Sequence, residues 1–532
     1  MAEKPEHLSK KLFEGALLLT FAAILIKVLS AAYRIPYQNI TGDIGFYIYQ
    51  QVYPFYGIAV AFSTFGFPMI ISKLIAERHS SRLTIKEIML TSFVILSLVG
   101  LLLFGGLYFG ADFIAGQMRD PELADLIQII AFSFLLMPFI SVVRGYYQGF
   151  HNMLPTAASQ IFEQIVRIST ILVFSFVLMQ QGYSLYVVGA GAAFGSIAGG
   201  VTAVLVLVSF VGLRKDWKRV RQSKFGAKTF PVITRILLWQ GLSFCIASLI
   251  LVLMQLVDSM NLYMLLRKGG LGEIAAKEWK GVYDRGQPLI QLGTVVSNSI
   301  ALSLVPLLSG YVQQKKRSEM ISIIKMVLLI SLMIGAAAAV GLICIMEPAN
   351  YMLFTDNQGS AELAVLSVSI IFTSVIMAEA SILQSLGHNL ETILIVVTGI
   401  ALKWLLNLVL VPHSLIMGAS YATVISFFVM SLLFFAVLKK HLKQPLFDKQ
   451  QLLILLQATI LMGVLVWGFN GAINQVFEDM PSNRILAAFQ ALSGVLLGGC
   501  IFVAVILRRG MFTRRELEML PVGTKLVKFL YR

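Results

Sequence analysis

An all-α polytopic membrane protein with about fourteen transmembrane helices is the fold the sequence predicts. Three observations predict it. Hydrophobic residues make up 58% of the 532-residue chain. Charged residues are 13%, about half the ~25% of ordinary soluble chains. Apolar runs of about 20 residues, the length a helix needs to cross hydrocarbon, recur along the whole sequence. One water-soluble core cannot hide that much apolar surface. The composition therefore excludes a soluble enzyme, a disordered tail protein and a disulfide scaffold. Cys245, Cys344 and Cys500 all fall inside apolar runs and read as small core residues.

The spans follow in order. The first, 11–34, comes after Lys10 and Lys11; it is long, with no small-residue cleavage site close behind it, so no cleavable signal peptide is expected. The second, 47–75, carries Pro68 and ends before Arg78, Arg82 and Lys86. The third and fourth, 87–112 and 123–146, are joined by a short loop holding Asp120 and Glu122. The fifth and sixth, 158–181 and 184–213, end at Arg214, Lys215, Lys218, Arg219 and Arg221. The seventh and eighth, 232–264 and 285–312, flank a loop containing Gly269-Gly270-Leu271-Gly272. The ninth, 321–345, follows Lys315, Lys316 and Arg317. Spans 363–386, 388–411 and 414–438 come next, the last two separated by the short Val411-Pro412-His413 turn. After Lys439, Lys440 and Lys443 come 451–473 and 486–507, closed by Arg508, Arg509, Arg514 and Arg515.

The net charge is +15. In a soluble protein that would suggest nucleic acid. Here the lysines and arginines concentrate in alternate loops, and most intervening loops are short and acidic or neutral. Cytoplasmic loops collect positive charge, so the pattern places both termini in the cytoplasm, with an even number of spans and membrane lipids, not nucleic acid, as partners.

A weak internal repeat joins the halves. An offset of 236 pairs Gln148 with Gln384, Leu154 with Leu390, Thr156 with Thr392 and Arg167 with Lys403. A similar offset pairs Pro68 with Pro306, and both prolines can bend their helices. The offset spans six predicted helices, so both halves point the same way, a transporter arrangement. The expected organisation is an N-terminal six-helix bundle (1–213), a basic cytoplasmic linker (214–231), a second six-helix bundle (232–438), a basic loop (439–450), two additional helices (451–507) and a basic tail (508–532).

No catalytic constellation is visible. The sequence has no G-x-x-x-x-G-K-[ST] phosphate loop, no H-E-x-x-H, no C-x-x-C and no G-x-S-x-G. The six histidines are dispersed. Neither enzyme activity, nor a cofactor, nor a metal is expected. The informative residues are charges inside apolar spans. Each costs about 2.5–3.5 kcal/mol on insertion scales when central, so it faces a partner or a cavity. Lys27 and Arg34 lie two turns apart on one face of the first span, and Lys27 has no carboxylate three or four residues away. Glu163 and Arg167 have the i,i+4 spacing of a structural pair. Asp258 reads either as a partner for a cationic residue or as an ion or proton site. Lys403 reads as a cavity residue or half of a helix-packing ion pair. Asp284, Arg285 and Glu379 complete the set. Arg34 and Arg285 are also placed to snorkel to the interface.

The segment LIKVLSAAYRIPYQNITGDIGFYIYQ, followed by FSTFGFPMIISKLIAE and VVRGYYQGFHNMLPTAASQIFEQIVRI, resembles the polysaccharide-transporter branch of the multidrug/oligosaccharidyl-lipid/polysaccharide (MOP) exporter superfamily. YDRGQPLIQLGTVVSNSIALSLVPLLS and SILQSLGHNLETILIVVTGIALKWLLNLVLV continue the likeness, which covers most of 10–440. Stage V sporulation protein B-like proteins and lipid II flippases look most similar. The resemblance implies two six-helix bundles around a central cavity, alternately open to each side, with two extra helices. It implies movement of an undecaprenyl-diphosphate-linked saccharide from the inner to the outer leaflet of a bacterial cytoplasmic membrane; lacking a nucleotide site, the chain is expected to draw on a coupling cation or proton gradient, the membrane potential, or consumption of product outside. It also implies Lys27, Arg34 and Arg285 as substrate-binding cations. Asp258, Asp284, Glu379 and Lys403 are left as coupling groups or charge partners. A cation-coupled multidrug exporter and a non-transporting scaffold for envelope or spore-coat synthesis are the rival readings.

Overall fold

The computed structural model describes residues 24–77, 83–212, 229–295, 297, 299, 316–476 and 483–512. Among them there are helices and no strand. Twelve helical runs in these residues are long and apolar enough to cross a membrane. Two of the twelve, Ile24–Ala76 and Asn389–Leu442, are 53 and 54 residues long, more than twice the span requirement, and each holds two expected spans. The expected span 232–264 falls in two helical runs, Phe230–Ser248 and Ile250–Lys268. The start of the first span (11–23), the linker 214–231 up to residue 228, most of 285–312 with Pro306, and the tail beyond 512 lie outside the described residues.

The two long runs are hairpins. Gly42 has φ 69°, ψ −177° inside Arg34–Ala61 (α1), a left-handed backbone that glycine adopts without strain. Tyr33 and Tyr49, sixteen residues apart, have hydroxyls 2.8 Å from each other. A straight helix would separate them by about 24 Å. The chain therefore reverses at Gly42. The second reversal is at Leu415, which has φ 48°. A Cβ on Gly418 would lie 2.4 Å from the Leu410 carbonyl oxygen, against about 12 Å along a straight helix. The sequence placed this turn two or three residues earlier, at Pro412.

The chain sorts into two compact units, Met1–Pro288 with Gly387–Ala422, and Leu289–Leu386 with Thr423–Arg532. This grouping differs from the expected halves 1–213 and 232–438. The helices Ile250–Lys268 and Glu273–Asp284 pack on Arg34–Ala61, which draws them into the first unit.

In the first unit α1 leads through a π turn, Phe62–Gly66, into Phe67–Ala76 (α2). Ile85–Phe109 (α3) opens with a capping box, Thr84 accepting from the Glu87 amide and Glu87 accepting from the Thr84 amide. Ala111–Gln117 (α4), Ala124–Ala131 (α5), Ser133–Gly149 (α6), Leu154–Gln180 (α7) and Leu185–Gly212 (α8) follow. Phe230–Ile236 (α9), Leu242–Ser248 (α10), Ile250–Lys268 (α11) and Glu273–Asp284 (α12) complete the run. Small residues set the close contacts, as expected where no hydrophobic drive separates helix from lipid. A Cβ on Gly145 or Gly149 of α6 would meet Ile71 or Ile75 of α2 at 2.7 Å. A Cβ on Gly199 of α8 would meet Arg167 Cβ of α7 at 2.8 Å. Around these seams Phe67, Ile71, Leu96, Met137, Ile140 and Leu237 form a buried cluster.

In the second unit, Arg317–Cys344 (α13), Met346–Phe354 (α14), Ser360–Ser367 (α15) and Ser369–Ser385 (α16) precede the end of Asn389–Leu442 (α17). Lys449–Val476 (α18) and Arg484–Arg508 (α19) close the described chain. A Cβ on Gly335 would lie 2.9 Å from Ser374 Cβ, so α13 and α16 touch backbone to side chain there. α18 and α19 pack on α13 through Leu329, Ala458, Met462 and Phe502.

Candidate functional site

The reversal at Gly42 folds the second half of α1 back on the segment before it and stacks tyrosines from both arms. Tyr37 and Tyr49 rings are 5.0 Å apart, Tyr49 and Tyr53 6.2 Å, and Tyr53 and Tyr56 6.2 Å. Two arginines enter this aromatic layer. Arg34, at the start of α1, is fully buried, with its guanidinium carbon 4.1 Å from the Tyr53 ring centre. Among the described residues none of its three nitrogens is in full hydrogen-bond geometry, with the Tyr33 and Tyr53 hydroxyls beside it. Arg167, from the middle of α7, is 1% exposed. It lies 4.2 Å from the Tyr56 ring centre and 5.8 Å from that of Tyr53. One terminal nitrogen donates to Tyr33 Oη at 2.9 Å and to Tyr49 Oη at 3.1 Å, the other weakly to Gln164 at 3.4 Å, and Nε has no partner. Neither arginine has a carboxylate partner among the described residues.

The expected pair of Glu163 with Arg167 is not what forms. Glu163 instead accepts from Arg144 of α6 at 2.7 Å. Arg144 is fixed by three further acceptors, Ser159 Oγ at 3.0 Å, Thr64 Oγ1 at 3.1 Å and the Ser63 carbonyl at 3.4 Å. A cation presented by a neighbouring helix, already oriented, outcompetes the flexible same-helix option.

The other sequence-predicted charges fall in three places. Lys27 sits half-buried in the helical stretch before α1, without an ion pair among the described residues. Arg285 is fully buried and forks onto Asp43, its Nε donating to Oδ1 at 2.8 Å and a terminal nitrogen to Oδ2. It is therefore neutralised in this conformation, not an open cation. Gly281 makes this possible, because a Cβ there would lie 2.1 Å from the Asp43 carbonyl oxygen. Asp258 and Lys403 pair at 2.6 Å, both 1% exposed. Lys403 also donates to the Met254 carbonyl at 2.9 Å, and Asn407 and Tyr283 donate to Asp258 at 3.1 and 3.2 Å. In this conformation the two residues are joined as an ion pair. Asp284 pairs with Lys280 at 2.6 Å, one turn away on α12. In the second unit Glu379 of α16 is fully buried, with the Ser431 side chain beside its carboxyl and no cationic partner among the described residues.

Sequence reasoning missed Arg144, Asp43 and the tyrosines. Tyrosine counts as apolar in a span scan, although the 49, 53, 56 spacing places three of them on one helical face.

A family model described as polysaccharide biosynthesis protein matches residues 12–312. The uncharacterized membrane protein YabM of Bacillus subtilis (strain 168) is 43% identical over 98% of this chain and 97% of its own length. The lipid II flippase MurJ of the same organism is 23% identical over 97% of this chain and 98% of its own. A solved inward-facing multidrug resistance MATE family transporter of the MOP superfamily superposes with a TM-score of 0.62 at 15% identity, over 80% of this chain and 99% of that one. The MATE-like membrane fold that the sequence suggested is the fold this likeness shows.

Proposed function

Because this chain belongs to the polysaccharide biosynthesis protein family, we propose that it is a flippase. Its cargo is an undecaprenyl-diphosphate-linked saccharide, a peptidoglycan precursor or another envelope unit, carried from the inner to the outer leaflet of a bacterial cytoplasmic membrane. Both termini are cytoplasmic, and the bundles 1–213 and 232–438 rock in alternating access. The relative named for lipid II flipping supports the cargo class. The observation that carries the reading is Arg34, a cation fully buried in an apolar span, with no carboxylate partner among the described residues.

The physical task fits. A lipid diphosphate headgroup and its sugar cannot cross bare hydrocarbon. Fixed cations offset the lost hydration while the polyprenyl tail stays in lipid. Lys27 and Arg34 have no ion-pair partner among the described residues in this conformation. Arg285 joins them in a conformation that separates it from Asp43. Binding energy must stay moderate so that the headgroup is released on the other side. No covalent step is needed.

The test is transport of a fluorescent undecaprenyl-diphosphate saccharide across reconstituted liposomes. Wild-type protein moves the lipid, and the variant lacking Lys27, Arg34 and Arg285 does not. Wild-type rates from that triple variant would reject the site.

One observation favours a second reading, a cation-coupled exporter of the same superfamily. It is Glu379, a fully buried carboxyl with no cationic partner among the described residues. Resistance to cationic drugs that depends on Glu379, without any lipid flipping, would select it.

A further inference from the structure

We propose that Arg34 and Arg167 form a single two-cation site for a diphosphate, with Tyr53 as the platform between them and Arg167 as its second ligand. The inference rests on the flippase reading and names the side chains that take the headgroup.

Geometry brings the two charges together. Their guanidinium carbons lie 4.1 and 5.8 Å from one Tyr53 ring centre, so they are within about 10 Å of each other, both inside cation–π range. Two like charges that close in a low-dielectric span repel each other. No carboxylate forms an ion pair with either arginine among the described residues: Glu163 is held by Arg144 and Asp284 by Lys280.

The tyrosines do not make the arginines whole. A cation–π contact attracts the guanidinium to the ring face but gives its N–H groups no lone-pair acceptor. A buried donor without a well-placed acceptor is costly, and among the described residues all three Arg34 nitrogens and Arg167 Nε lack one in full hydrogen-bond geometry. The balance leaves the site short of acceptors as well as of negative charge. Water would supply acceptors only. A carboxylate would neutralise one arginine and leave the other. A diphosphate carries at least two negative charges and oxygens on both phosphates, and the planar guanidinium fork matches that geometry.

Arg167 is also aimed. Tyr33 and Tyr49 accept from one terminal nitrogen, which fixes the fork while Nε stays free. Close approach of Gly199 to Arg167 Cβ sets where the stem leaves α7. The repeat offers a contrast in the same unit. Lys403, which the 236-residue offset matches to Arg167, has its own carboxylate in Asp258. Arg167 has tyrosines where Lys403 has an anion, and a carboxylate there would compete with the headgroup.

The test is calorimetric binding to full-length protein in nanodiscs, with farnesyl diphosphate, inorganic pyrophosphate and farnesol as probes. Arg34→Met and Arg167→Met each weaken farnesyl diphosphate at least ten-fold and leave farnesol within two-fold. Arg167→Lys falls between wild type and Arg167→Met. If Arg167→Met does not fold, Arg167→Gln, which can still hydrogen-bond the tyrosines, carries the same comparison. Wild-type farnesyl diphosphate binding by a folded Arg167 variant overturns the proposal, as does equal loss of farnesol and diphosphate. Farnesyl diphosphate binding much tighter than pyrophosphate assigns the anion to a lipid; equal binding overturns the lipid source. Intact diphosphate binding with no liposome transport would sink the flippase reading and leave this site standing.

Discussion

Arg144 donates to Glu163 across the α6–α7 interface at 2.7 Å, and that bond leaves Arg167, one turn from Glu163, without a carboxylate partner among the described residues. Removing one partner of a buried pair costs about 3–5 kcal/mol, because the other charge is left stranded. Glu163→Gln strands Arg144 and should lower the melting temperature sharply. Arg144→Met should cost less, because Glu163 then turns to Arg167 at ideal i,i+4 spacing. The same substitution should weaken farnesyl diphosphate binding although every proposed ligand is still present. Unchanged binding in Arg144→Met would show that Glu163 does not control Arg167.

Gly281 and Asp43 make a second close contact with a measurable consequence. A Cβ at 2.1 Å from the Asp43 carbonyl oxygen cannot be accommodated without moving α12 off α1. Gly281→Ala should therefore open the contact that holds Arg285 on Asp43. Asp43→Asn removes the ion pair without the steric clash and should destabilise by about 3–5 kcal/mol. Gly281→Ala should lower the melting temperature too, and Gly281→Ala with Asp43→Asn should cost less than the sum, since neighbouring sites couple. Additive effects would separate the glycine contact from the salt bridge.

The spans were legible because a lipid core imposes one requirement, length in apolar residues, that each segment meets by itself. Arg34, Arg285, Asp258, Lys403 and Glu379 were legible as positions for the same reason, since a charge stands out in an apolar run. Their partners were not. Asp43 with Arg285, and Asp258 with Lys403, are joined by folding across 242 and 145 residues. The local rule succeeds for Lys280 with Asp284 and for Lys277 with Glu273, where no other helix outbids it. It fails for Glu163, where Arg144 does. The tyrosine layer was hidden by the hydropathy scale, which scores the ring and ignores the hydroxyl.

Lys403 and Asp258 should behave as a packing pair. Four groups close around them, Met254, Asn407, Asn261 and Tyr283. Lys403→Met leaves Asp258 stranded and should destabilise by about 3–5 kcal/mol. Adding Asp258→Leu should recover most of that loss, because an apolar pair has no desolvation penalty. Liposome transport by the double variant should be close to wild type. A well-folded double variant that no longer transports would instead make the pair part of the coupling machinery.

Lys277, on α12 outside the spanning helices, gives a pH test. Its ammonium donates to Glu273 at 3.0 Å and to Tyr186 Oη at 2.9 Å, and lies 3.8 Å from Asp120. Asp120 accepts from Tyr47 at 2.9 Å and from Tyr186 at 2.7 Å. Burial by itself would lower the Lys277 pKa, but the Glu273 hydrogen bond and the Asp120 charge outweigh it and hold it above the usual 10.5. The same bond to Lys277 holds the exposed Glu273 carboxyl below its usual 4.5. A raised lysine contributes stability that is complete below its unfolded value and fades as pH climbs through the folded one; a depressed carboxylate contributes above its unfolded value and fades in acid. The two windows overlap from about pH 5 to about pH 10. Melting temperatures of wild type and Lys277→Gln, measured in detergent against pH, should differ by a constant amount from pH 6 to 9. The gap should close above pH 10.5. A gap that changes between pH 6 and 9 would mean that another titrating group, not this lysine, governs the contact.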